Sequence, residues 1–320
     1  MDFKYPLGKV INLGSSSNGN AFYIELYRKD YPNPFRLLIE CGFDFQELSK
    51  RLLNKGISIN DINAILVTHE HNDHSISVPQ LVARKKKVYA PMTVFDKYKL
   101  SSNIDSKYVM ENKTEKGIAD GIIVTGMELD HENDDGSKTY NLGYIITVDK
   151  WFNILFVTDT KFIRYDLSGY QFNVIFIEAN NLHRVIHSAL QNAQKLENEI
   201  RNQLNNSELD DFERQELELI WSKKSYDKIH FNRVLKSHML VEKTALTLAT
   251  FDLTKTDIIY LIHLSANTII NTFEFKGIVK NKLIETEKYR KVYFIDKKDN
   301  IKKMTYKPKL AVAKRNGDWA

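Results

Sequence analysis

The chemistry-bearing residues of this chain concentrate at His69, His71, Asp73 and His74, a HxHxDH pattern that directly follows Ala64-Ile65-Leu66-Val67 and Thr68. Four potential metal ligands crowd together at the end of an apolar run that predicts a buried strand. Packing gives no reason for such a cluster. In an extended chain alternate side chains point the same way, so His69 and His71 can grip one cation while Glu70 and Asn72 face elsewhere. Where the chain turns, Asp73 and His74 can offer an oxygen and a nitrogen to a second cation about 3.5–4 Å away, the separation used by two-metal hydrolases. The competing reading is a polar loop that happens to be rich in histidine.

Three further residues stand where such a site would need partners. His131 follows Ile122-Ile123-Val124 and Met127-Glu128-Leu129-Asp130, Asp159 follows Ile154-Leu155-Phe156-Val157-Thr158, and His263 follows Ile258-Ile259-Tyr260-Leu261-Ile262. Each is a polar residue at the carboxyl end of a strand-like run, so each would emerge at one rim of a sheet. Any one alone would be an ordinary strand-end residue. Five of the nine histidines nevertheless fall in this one set.

With these residues the sequence resembles the metallo-β-lactamase fold hydrolases. The resemblance implies an α/β fold, a four-layer αββα sandwich, with a dinuclear site at one edge. It implies that His69, His71 and His131 hold the first metal, that Asp73, His74 and His263 hold the second, and that Asp159 bridges them. Imidazole-rich sites joined by a carboxylate suit zinc, with manganese as the alternative. Further blocks resemble the WalJ (YycJ) group of single-domain exonucleases: Gly14-Ser15-Ser16-Ser17-Asn18-Gly19-Asn20, Leu37 to Gly42, Phe156 to Thr160, Ile177 to Asn180, and Leu261 to Ser265. Two departures stand out. Glu40 replaces the group's usual Asp, and Asn181 its usual His. The segment from Ser237 to Ala245 resembles the group's GHLSNEDAA block, which implies a His at a helix start. There His238 would protonate a leaving oxygen or bind a phosphate oxygen, aided by free helix N–H groups; the alternative is a His bonded only to backbone. His183, His187 and His230 lie in helical or charged context and read as non-ligands.

The elements that must position these residues follow from pattern. Residues 9 to about 42 read as a strand meander with a turn at Gly14–Ser17, and Phe45 to about Lys55 as a helix. Strands and helices then alternate to about residue 180. At 183–236 the pattern becomes a helical hairpin inserted into a single domain spanning 1–320. Ile186, Leu190, Ala193, Leu196, Ile200 and Leu204 share one face of its first helix, Ser207 caps the second, and Leu209, Phe212, Leu217, Leu219 and Ile220 supply its apolar residues. This hairpin would be a strut, a substrate clamp or a homodimer surface. Residues 297–320 read as a basic tail.

Composition sets the remaining bounds. The 320 residues are 42% hydrophobic, enough for a full core, with no run long enough to span a membrane. The start Met1-Asp2-Phe3-Lys4-Tyr5-Pro6 lacks a signal-peptide core, and a lone cysteine, Cys41, suits a reducing cytoplasm. A net charge of +5 is compatible with polyanions, and Arg84-Lys85-Lys86-Lys87 is the densest basic cluster. The reading is a dinuclear-metal phosphodiesterase that degrades DNA from a 5′ end with a metal-bridged hydroxide, Asp73 and His238 being its catalytic residues. The alternatives are a phosphodiesterase for cyclic nucleotides or other small diesters, and a catalytically silent binding module. The intervals from His131 to Asp159 and from Asp159 to His263 are too short for the tRNA-binding arm or the large extra domain of other branches of the superfamily.

Overall fold

The computed structural model describes residues 6–100, 105–133, 136–205, 211–265, 271–295 and 301–320. Strands β1 (Leu7–Ser16), β2 (Gly19–Leu26) and β3 (Phe35–Ile39) form an antiparallel meander. β4 (Ala64–Leu66), β5 (Lys87–Ala90) and β6 (Lys107–Val109) extend it in parallel, giving a sheet ordered β1-β2-β3-β4-β5-β6. The crossovers carry α1 (Phe45–Leu53), α2 (Asn72–Ser75), α3 (Val78–Ala83) and α4 (Met92–Lys97). Asp44 starts α1 by accepting the Gln46 and Glu47 N–H groups, and Leu48 and Leu52 form its buried face. The turn after β1 falls at Ser17–Asn18 rather than at Gly14–Ser17. A register shift between Asn12 and Gly14 lets the serines stay paired with β2.

A second sheet contains β7 (Glu115–Ala119), β8 (Ile122–Glu132), β9 (Lys138–Val148), β10 (Phe152–Val157), β11 (Val174–Glu178) and β12 (Ile258–Ile262). The expected strand–helix alternation therefore stops after α4. β7 to β10 are antiparallel neighbours, and such pairs need only short turns. α5 (His183–Leu204), α6 (Asp211–Ser237), α7 (Val241–Thr250) and α8 (Thr272–Glu285) follow. A hairpin of β13 (Arg290–Ile295) and β14 (Ile301–Lys307) then leads into β15 (Lys309–Val312).

The C-terminal stretch is no mere solvated tail. β15 pairs in parallel with β12 at the sheet edge, and the Trp319 ring lies 4.3 Å from that of Tyr260 between the sheets. Leu310-Ala311-Val312-Ala313 supplies apolar residues that the surrounding lysines obscure in sequence.

Strand periodicity explains the layering. Phe22, Ile24, Leu37, Ile39 and Leu66 face Phe156, Phe176, Tyr260 and Ile262 of the other sheet. Their neighbours Tyr23, Leu38 and Ile65 pack under α1, α3 and α4, while Leu155, Ile177 and Leu261 pack under α7 and α8. The result is four layers, helix, sheet, sheet, helix. Ile186, Ala193 and Ile200 form the buried face of α5, against which Val234 of α6 packs. Of the residues expected to anchor the second helix, Phe212 and Leu219 are exposed, while Ser207 and Leu209 lie outside the described residues.

Candidate metal centre

The site lies where strands of both sheets end. Glu40, Asp159 and His263 directly follow or nearly follow β3, β10 and β12, and all three take left-handed backbone with φ of 65°, 50° and 56°. Such conformations cost a non-glycine residue about 1–3 kcal/mol and persist only when neighbours impose them. The Glu40 N–H donates to Leu66 O at 2.8 Å, the His263 N–H to Ser15 Oγ at 2.6 Å, and Asn141 Nδ2 to Asp159 O at 2.7 Å. The backbone thus turns each side chain back over the rim. Gly42 lets the HxHxDH loop settle there, since a Cβ on it would stand 1.6 Å from Asp73 O.

All seven side chains singled out in the sequence come together in two groups that share Asp159. His69, His71, His131 and Asp159 form one, and Asp73, His74, Asp159 and His263 the other, with potential ligand atoms within 4.8 Å of one another in each. Asp159 Oδ2 lies 3.9 Å from His69 Nε2 and 3.7 Å from His131 Nε2. Its Oδ1 lies 3.4 Å from His74 Nε2 and 3.0 Å from His263 Nε2, and Asp73 Oδ2 is 3.3 Å from His74 Nε2. Ligands bonded at zinc's usual distances around a tetrahedron stand roughly 3.4 Å apart, so these spacings suit cation cages.

Hydrogen bonding supports that fit. His69 Nδ1 is engaged by Thr68 Oγ1 at 2.9 Å, while its buried Nε2 has no hydrogen-bond partner among the described residues; His263 Nε2 faces the Asp159 and Asp73 carboxylates without a well-directed hydrogen bond to either. His71 Nε2 donates to Asn133 Oδ1 at 2.8 Å, which leaves the Nδ1 lone pair facing His131 Nε2 at 3.1 Å. Two imidazole nitrogens aimed at each other, beside a carboxylate, are a donor set in want of a cation.

Electrostatics divides the histidines. Burial, reinforced by the neighbouring imidazoles, holds His69 well below the usual range and His131 down to about 3, so both are neutral lone-pair donors. Burial also opposes charging of His74 and His263, but Asp159 and the nearby carboxylates outweigh it, pushing His263 up to about 10 and His74 well above its ordinary value. Asp73 and Asp159, despite burial, are held low by these imidazoles. The carboxylates therefore draw positive charge to the centre. Glu40, the longer acid at its position, adds to this with Oε1 3.4 Å from His74 Nδ1.

His238 lies in the junction between α6 and α7, two residues before the α7 N-cap Leu240, and so not at a helix start as expected. The first amide of that helix is used elsewhere, the Val241 N–H donating to Asn181 O. Instead His238 Nδ1 meets Glu178 Oε1 at 2.6 Å, and its ring stacks on His263 with centroids 5.2 Å apart. Sequence reasoning gave Glu178 no role. It is fully buried, accepts from the Thr160 N–H, and reaches His263 Nδ1 at 3.3 Å. It ends the apolar run Val174–Ile177, the same signal that exposed Asp159. Asn20 was also missed; its Nδ2 donates to Asp73 O at 3.2 Å. His183, His187 and His230 stay outside both groups. Arg84 stacks on Phe45 and Lys86 donates to Asn60 O and Ile62 O, so much of that basic cluster serves its own layer.

The pattern of the family described as "Beta-lactamase superfamily domain" matches residues 35–204, more than half of the chain. The exodeoxyribonuclease WalJ of Streptococcus pneumoniae serotype 2 is 37% identical over 83 residues, 26% of each chain. The exodeoxyribonuclease YycJ of Bacillus anthracis is 36% identical over 62 residues, 19% of this chain and 21% of its own. The ribonuclease Z of Methanopyrus kandleri is 38% identical over 63 residues, 18% and 22% respectively. The matches thus span about a quarter or less of these relatives. Among solved structures, Zn(2+)-bound PqqB from Methylobacterium extorquens superposes with a TM-score of 0.54 at 12% identity, over 85% of this chain and 95% of that one. Igni18, a metallo hydrolase from Ignicoccus hospitalis, gives 0.50 at 12% identity over 98% of both.

Proposed function

Because this chain belongs to the metallo-β-lactamase superfamily of metal-dependent hydrolases, we propose that it is a phosphodiesterase that degrades DNA from a 5′ end in the cytoplasm. The observation that carries the hydrolytic part is the pair of donor sets sharing Asp159. The nucleic-acid part is supported by the partial similarity to two exodeoxyribonucleases and a ribonuclease.

In this reading His69, His71, His131 and Asp159 hold one divalent ion and Asp73, His74, Asp159 and His263 another, zinc before manganese given so many imidazoles. When bound, the two ions would supply a water made nucleophilic at neutral pH and positive charge to offset that of the phosphate. The protein's own contribution is positional. Asn133 and Thr68 fix the rings of His71 and His69, and Glu178 fixes His238 through Nδ1, leaving Nε2 to pass a proton to the leaving oxygen.

The test is to offer purified protein, with Zn²⁺ or Mn²⁺, a set of 5′-labelled linear DNA, 3′-labelled linear DNA, circular DNA and a cyclic nucleotide. Mononucleotides should appear from the 5′ end of linear DNA while circles survive. Asp73→Ala or His74→Ala should lower the rate by more than about 100-fold, beyond the range of a lost supporting contact. Cleavage confined to the cyclic nucleotide would overturn the DNA assignment, and an undiminished Asp73→Ala rate would overturn the centre.

A further inference from the structure

Two clefts open beside the centre and meet at Lys161. The first, about 480 Å³, has His131 in its wall together with Lys138, Lys161, Arg164 and Lys236. The second, about 690 Å³ and mostly apolar, has His238 in its wall beside Leu235, Leu240 and Leu246. The rings of His131 and His238 are 5.6 Å apart, so the two clefts are halves of one groove running past the centre.

Its charges do not cancel internally. Asp130 is taken by Arg164, whose Nε donates at 2.9 Å, which leaves Glu132 as the remaining acid of the first cleft. Among the described residues, the ammonium groups of Lys138, Lys161 and Lys236 form no ion pair. Lys243 adds a fourth cation, its Nζ 5.0 Å above the Phe162 ring. Burial, and after it the nearby Lys161 charge, holds its ammonium below the ordinary lysine value. Lys161 and Lys243 stand at the edge of the second cleft as well, where Arg184 is bidentate on Glu274 and Glu242 accepts the His183 N–H. There the groove offers leucine surface, with Leu246 56% exposed.

Uncompensated cations next to an open apolar shelf, on a path past a hydrolytic centre, match a chain that alternates phosphates with flat rings. We propose that the α5–α6 hairpin forms one wall of a nucleotide-binding groove, in which Lys138, Lys161 and Lys236 hold a phosphate adjoining the one cleaved and Leu235, Leu240 and Leu246 hold a base. The proposal rests on the phosphodiesterase reading and gives the hairpin, which supplies Lys236 and Leu235, a role as a substrate clamp.

The experiment measures anisotropy of two labelled, phosphorothioate-linked hexamers bound to the zinc-loaded protein, one of thymidylate and one abasic, with equal charge. Lys161→Ala and Lys236→Ala should each weaken both probes by roughly 5- to 10-fold and reduce the salt slope by about one. Leu246→Ser, at an exposed position that folding tolerates, should weaken the thymidylate probe at least about 5-fold and leave the abasic one as it was. Lys195→Ala, about three turns further along α5 and in the lining of neither cleft, serves as the unaffected control. Wild-type affinity in Lys236→Ala would overturn the clamp, and equal losses on both probes in Leu246→Ser would overturn the base shelf. Hydrolysis of ordinary hexathymidylate by the wild type is scored separately. A protein that binds as expected yet cleaves no diester would sink the phosphodiesterase reading, whereas one that cleaves but binds evenly across the variants would sink only the groove.

Discussion

The His238 imidazole reaches the centre with Nδ1 already committed to Glu178 Oε1, and that carboxylate also touches His263. A ring fixed this way can present Nε2 alone to a substrate. If it delivers the proton to the leaving oxygen, His238→Ala should lose about 10²- to 10⁴-fold in kcat while keeping two equivalents of metal. Glu178→Gln, which preserves shape but not charge, should lose about 10- to 100-fold in rate or metal affinity. Metal content after dialysis, measured beside the kinetics, separates these effects; His238→Ala working at the wild-type rate would end the proton-donor role. The residues that converge were legible because each is a polar break at the end of an apolar run. Glu178 obeys the same rule but was passed over, since a strand-end acid with no histidine beside it in sequence has many ordinary explanations. Asn20 and Asn133 were beyond reach. Their work is to orient partners more than fifty positions away, which no local pattern encodes.

At the scale of elements, two glycines give opposite tests of how tightly the rim is built. Gly42 follows β3 where the chain passes the HxHxDH loop, and any Cβ there would collide with the Asp73 carbonyl. Backbone on both sides leaves nothing flexible to move, so Gly42→Ala should destabilise by more than about 3 kcal/mol and scatter the Asp73 and His74 ligands. At Gly277, inside α8, an added methyl would meet nothing within 4 Å. Gly277→Ala should therefore stabilise by about 0.4–1 kcal/mol, through helix propensity and a less disordered unfolded chain. Urea titration reads both, and equal, small effects would mean that the loop does not pack against β3 as described. Strand identity was legible from period-2 runs such as Phe22, Ile24 and Leu26 against Ala21 and Tyr23. The all-strand stretch from β7 to β10 was not, because antiparallel neighbours demand no helix between them and residues such as Thr125 and Glu128 blur the alternation. β15 was hidden for another reason: lysines flanking a four-residue strand dominate any reading by charge.

For the molecule as a whole, the centre is a joint between its two sheets. His69, His71, Asp73 and His74 follow β4 of the first sheet, while His131 lies in β8 of the second and Asp159 and His263 follow its β10 and β12. Divalent ions held between them would pin the halves of the sandwich together, and an unfolded chain scatters these ligands over some two hundred positions, so binding energy becomes folding energy. With free metal at about 100 times Kd, each site contributes about 2.7 kcal/mol of apparent stability. Two sites would then raise Tm by roughly 10 °C, taking the low end of the shift per kcal/mol known for large domains. A chelator should reverse the gain. Asp159→Ala removes the shared ligand and should abolish most of the shift, whereas His187→Ala, on exposed α5 surface, should retain all of it. Thermal melts of the three proteins with and without Zn²⁺ decide the matter: a shift as large in Asp159→Ala as in the wild type would place the ions somewhere other than the joint, and neither the hydrolytic reading nor the groove beside it could then be built on these seven side chains.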